Sequence, residues 1–139
     1  MATAVPPIAA ALGYAGAIPF LVGAAAVALA LLPPTPLLAY GAVILAFMGG
    51  IHWGLGMPGS APDAGRLALS VVPALLGWAA LLLGGRPGLL LLAVAFLGLL
   101  ALELATTRSG VAPSWYPTLR VPLTAVVVTS LLLAAAVTS

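Results

Sequence analysis

Long apolar runs, separated by short breaks rich in proline, glycine or polar residues, make up almost the whole of this chain. Five runs, from Ile8 to Leu32, Leu37 to Met57, Arg66 to Leu83, Leu89 to Thr107 and Leu119 to Val137, each approach the ~20 apolar residues that an α-helix needs to cross a bilayer core. The pattern predicts an all-α fold: a polytopic bundle of five transmembrane helices that takes in residues 1–139 as one unit.

The breaks have their own chemistry. Pro33-Pro34-Thr35-Pro36 cannot continue a helix and predicts a tight hairpin. Pro58 to Gly65 reads as a longer polar loop, with Asp63 placed to cap the third helix. Gly84-Gly85-Arg86-Pro87-Gly88 predicts another hairpin, and Ser109 to Pro117 a last loop with Trp115 and Tyr116 at the lipid interface. Pro19 and Pro73 fall within or near the starts of spans one and three, and Pro122 is expected in the first turn of span five. No internal repeat is present, and five spans do not divide into inverted halves.

Composition settles the class. Hydrophobic residues make up 64% of the chain and charged residues 4%, against roughly 25% charged in a soluble domain. The net charge of +2 comes from four arginines against Asp63 and Glu103, too little for a basic patch, so no nucleic-acid partner is expected. Cysteine is absent, which removes disulfides, thiolate metal sites and cysteine nucleophiles. The stretch before the first run, Met1 to Pro7, carries no basic residue, and the run itself is too long for a signal core, so it reads as a retained span. Short loops make neighbouring spans antiparallel. The N-terminal side then collects Arg66, Arg108 and Arg120 against Arg86 alone on the other, which predicts a cytoplasmic N-terminus.

That topology gathers scattered polar residues at one depth. His52, Glu103, Tyr14, Ser70, Arg120 and Thr124 all fall within about two helical turns of the N-terminal interface. Ionisable groups inside a membrane usually face the bundle interior and have partners. Glu103 is expected beside Arg120, with Arg108 as a further partner and His52 in reach directly or through a water. A structural clasp of helix ends is the preferred reading, and a proton relay or polar ligand site the sharper one. Arg66 and Arg108 read as snorkelling anchors, Tyr40 and Trp53 as aromatic-belt residues, and Trp78 as packing. On helical spacing Gly49, His52 and Gly56 share a face, while Gly50 and Gly54 form a small-xxx-small pair expected to lie against another helix. One His, one Asp and one Glu are too few for a zinc or di-metal site, and no catalytic motif is present. A bound lipid, a quinone, or a haem held by His52 and a methionine remains open.

The chain resembles a family of small bacterial inner-membrane proteins classed as a domain of unknown function, with a human mitochondrial transmembrane relative. The resemblance rests on Leu12–Phe20, Tyr40–Gly54, Ser70–Trp78 and Tyr116–Thr124, and most specifically on Gly49-Gly50-Ile51-His52-Trp53-Gly54. It implies a multi-span inner-membrane protein and no established activity. Three roles are therefore in play. The first is a non-enzymatic accessory subunit or assembly partner of a larger respiratory or photosynthetic complex. The second is a homo-oligomeric proton-coupled transporter or channel using the polar layer. The third is a lipid- or quinone-binding protein.

Overall fold

The computed structural model describes residues 4–138; residues 1–3 and Ser139, the ends of the expected bundle, lie outside them. Six helices follow in order: α1 (Pro7–Ala28), α2 (Thr35–Gly56), α3 (Ala64–Ser70), α4 (Val72–Leu83), α5 (Gly85–Arg108) and α6 (Tyr116–Ala136). Taken together, α3 and α4 form one span, Ala64–Leu83, so five helical segments are long and apolar enough to cross a bilayer. The protein is a multi-pass membrane protein.

Proline chemistry sets several boundaries. It occupies the first turn of α1, α2, α4 and α6, where its missing N–H costs nothing. The third span breaks at Val71 because Pro73 has no N–H to give the carbonyl of Leu69. The first span ends at Ala28, short of the expected Leu32. Ala30 turns to φ 59°, and Leu31 and Leu32 both donate to the carbonyl of Ala26. Pro33 and Pro34 disfavour helix in what precedes them. The fifth span starts at Tyr116 rather than Leu119, so Pro117 is the first-turn proline and Pro122 lies inside the helix. Asp63 caps α3 as expected, its Oδ1 accepting from the Arg66 amide at 3.0 Å.

The spans pack as a ring in chain order, with α6 closing onto α1 and a single cross-contact between α2 and α5. Short connections account for the order, since each span lands beside its predecessor. At the end away from the polar residues the core is dry. Phe20, Leu38, Leu89, Leu92 and Leu131 are fully buried there, and Phe20 meets Tyr40 and Phe96 edge-on at 5.0 and 5.8 Å. Two glycines bring α2 and the third span together. A Cβ on Gly77 would stand 3.1 Å from the Ala42 backbone, and one on Gly49 would stand 2.5 Å from the Ser70 carbonyl. Close backbone approach of this kind is how helices associate in lipid, where apolar side chains gain little by leaving one apolar medium for another.

Gly50 and Gly54 behave differently. Nothing among the described residues lies within 4 Å of a Cβ built on either, so a helix expected against them is not one of this bundle. The helical period turns Gly49 and Gly56 inward and leaves Gly50 and Gly54 on the outer face. Trp78, expected in the packing, is exposed. Tyr40 is no simple belt residue, for its hydroxyl donates to the Gly16 carbonyl at 2.7 Å.

Candidate polar site

Glu103 is the centre of the polar end. It sits near the C-terminal end of α5, 1% exposed, and its two oxygens are engaged separately. Oε1 accepts from Nε of Arg120 at 2.9 Å, and Oε2 accepts from the Tyr116 hydroxyl at 2.8 Å. Tyr116 and Arg120 are four residues apart at the start of α6, so one helical face presents both to the carboxylate. The charge pair is buried on both sides. Removing two charges from water is costly, and such a pair holds only when hydrogen bonds complete it; here the tyrosine does so.

His52 approaches from α2. Its Nε2 lies 3.9 Å from Oε2 of Glu103, beyond hydrogen-bond length. The ring is fully buried, and among the described residues neither nitrogen has a hydrogen-bond partner. The Thr124 hydroxyl, one turn past Arg120, is in the same condition. A buried polar group left without a partner costs about 1–3 kcal/mol, so orphaned groups beside one ion pair mark the place where water or a ligand oxygen would be most stabilising.

A second link joins α3 to α5. Nη1 of Arg66 donates to the Thr106 hydroxyl at 2.9 Å, and that hydroxyl donates in turn to the Leu102 carbonyl at 2.8 Å. Arg66 Nε also lies 3.6 Å from Asp63 Oδ2. Arg66 is therefore a helix-to-helix tie as well as an interfacial charge.

The expected layer is thus partly assembled. His52, Glu103 and Arg120 come together. Ser70 is buried at this end, but its hydroxyl bonds the Leu67 carbonyl of its own helix at 2.6 Å and so joins nothing across helices. Tyr14 is corrected: it is 46% exposed, turned out of the bundle beside the edge of the buried stripe of Ala17, Phe20, Ala24 and Val27. Arg108 is also corrected as a partner of Glu103, for it is exposed at the end of α5. Tyr116 and Thr106 were missed. Both signals were present in the chain: Thr106 follows Glu103 by three residues, and Tyr116 precedes Arg120 by four. Among the described residues, no three His, Cys, Asp or Glu side chains gather at one place.

Comparison with known proteins agrees with the membrane architecture. The profile of a family described as "Protein of unknown function (DUF3429)" matches residues 5–136. Transmembrane protein 69 of Xenopus tropicalis is 44% identical over 98 residues, covering 67% of this chain and 38% of that protein. Its Mus musculus counterpart is 50% identical over 52 residues, covering 35% of this chain and 21% of that protein. The chain thus spans well under half the length of these relatives. No solved structure matches it.

Proposed function

Because the chain belongs to the DUF3429 family, whose function is unknown, its role has to be read from its own geometry, and we propose that it is a non-enzymatic accessory subunit or assembly partner of a larger membrane complex. An energy-transducing complex, respiratory or photosynthetic, is the fitting host. The observation that carries this reading is the outer face of α2. Val43, Phe47, Gly50 and Gly54 fall on one helical stripe, the two large side chains are exposed, and the two glycines leave bare backbone between them. Such a stripe suits a helix from another chain. The polar cluster, by contrast, spends its bonds on helices of this chain, Glu103 to α6 and Arg66 to α5, and is read as a clasp.

Mild-detergent purification of the tagged chain, followed by native mass measurement, tests this. The wild type should travel in an assembly whose mass no whole number of copies of this chain accounts for. Gly54→Leu should lose that assembly while the isolated chain melts at an unchanged temperature. A wild type that runs alone overturns the reading. A symmetric multiple of the chain would instead favour a homo-oligomeric proton-coupled channel or transporter, the second reading, which the unpartnered His52 beside Glu103 supports.

For location we propose a bacterial inner membrane with the N-terminus in the cytoplasm. Arg66, Arg108 and Arg120 stand on that side against Arg86 on the other. A fused reporter after Ser139 that works only in the cytoplasm would reverse this orientation.

A further inference from the structure

A groove of about 180 Å³ opens between α1, α2 and α6. Gly16, Phe20, Phe47, Met48 and Leu123 are among its walls, and Arg120 is the only charged residue in its lining. Arg120 gives Nε to Glu103, and its two terminal nitrogens bond no other described residue. Beside it are the orphaned Thr124 hydroxyl, one turn along α6, and across Glu103 the orphaned His52 ring. A cavity of this size takes a single ring: an engineered apolar cavity of about 150 Å³ holds benzene.

The charge balance selects the ligand. Glu103 already neutralises Arg120, so an anion brought to the guanidinium would also meet the carboxylate. A neutral acceptor oxygen meets the free N–H groups without that repulsion. We propose that this groove binds a neutral, carbonyl-bearing ring on an apolar tail, the chemistry of a membrane quinone. Arg120 donates a hydrogen bond to one carbonyl oxygen, Phe20 and Phe47 flank the ring, and the tail leaves toward lipid past Leu12. The groove shares Phe47 with the docking face of α2, but Leu12 and Gly16 stand on α1, outside that face, and test the groove apart from it.

The test is thermal-shift titration of the full chain in detergent with decyl-ubiquinone, read against oleate and against phosphatidylglycerol micelles. Saturable stabilisation by the quinone alone is expected. Leu12 is exposed at the mouth of the groove, so Leu12→Trp should fold normally and weaken the quinone at least tenfold. Gly16→Leu, which fills the groove from α1, should do the same. Arg120→Lys should weaken binding if it folds, and the two groove variants decide the matter if it does not. Absence of a saturable shift overturns the proposal. So does equal saturation by oleate or phosphatidylglycerol, or undiminished binding in folded Leu12→Trp.

Discussion

The two ends of the bundle are held by different physics. Away from the N-terminal side, fully buried Phe20, Leu38, Leu89, Leu92 and Leu131 fill a dry core. Polar contacts at that end lie at its edge, as where Arg86 Nε donates to the Ala135 carbonyl at the C-terminus of α6 at 3.0 Å. On the N-terminal side, a buried carboxylate draws a guanidinium and a phenol from α6 and stands beside a fully buried imidazole from α2. Packing is forgiving because every apolar atom has apolar neighbours whichever way it turns. Charge is unforgiving, since a lost partner leaves a group that lipid cannot solvate. The dry end should therefore yield gradually to substitution, and the polar end abruptly.

The largest expected effect breaks the polar end. Glu103→Ala leaves Arg120 buried without its counter-charge and should cost about 3–5 kcal/mol, read as thermal unfolding in detergent. The double variant Glu103→Leu with Arg120→Met should be more stable than Glu103→Ala alone, because no charge is then stranded. Equal losses would mean that the pair is solvated and the contrast between the ends is wrong. Next is Gly49→Ala, whose methyl would drive into the Ser70 carbonyl. Backbone cannot give way as a side-chain tip can, so about 3 kcal/mol is expected, the upper part of the overpacking range.

At the dry end, Leu131→Ala opens a cavity of roughly 80 Å³, which at about 24 cal/mol per Å³ costs roughly 2 kcal/mol. A loss as large as that of Glu103→Ala would erase the distinction. Tyr116→Phe removes one of the two hydroxyl and guanidinium bonds to Glu103 but no charge. About 1 kcal/mol is expected, with the fold retained on circular dichroism. The smallest effect has the opposite sign. Gly50→Ala meets no atom within 4 Å, and alanine in a helix interior should stabilise the isolated chain by about 0.5–1 kcal/mol. The Gly49 and Gly50 variants, one residue apart, measure inward and outward faces with the same methyl group.

Long apolar runs and the breaks between them were enough to place the five spans, because hydropathy and proline act locally. The pairing of Glu103 with Arg120 could also be read ahead of the structure, since a short loop returns α6 beside α5 at the same depth. What the chain hid was rotation about each helix axis. Gly49 and Gly50 are indistinguishable by composition, and only their partners separate them. Tyr14 has the right depth and the wrong azimuth. Tyr116 was hidden by the choice of starting residue for the last helix: with Pro122 taken as the first-turn proline, the tyrosine fell in the loop. Starting the helix around Pro117 puts it one turn before Arg120, on the carboxylate.

The order in which Glu103 and its partners are made has a consequence for biogenesis. Both hydrogen-bond donors to the carboxylate lie downstream of it, Arg120 by 17 residues. At about 5–20 residues per second, the ribosome needs roughly one to three seconds to add that stretch. Through that interval α5 exists as a helix with an uncompensated acid near its end. Its release into lipid is favoured only once α6 can enter with it, so the insertion machinery should handle the last two spans as a hairpin rather than in single file. A nascent chain stalled before Tyr116 would hold α5 at the exit, still within reach of water.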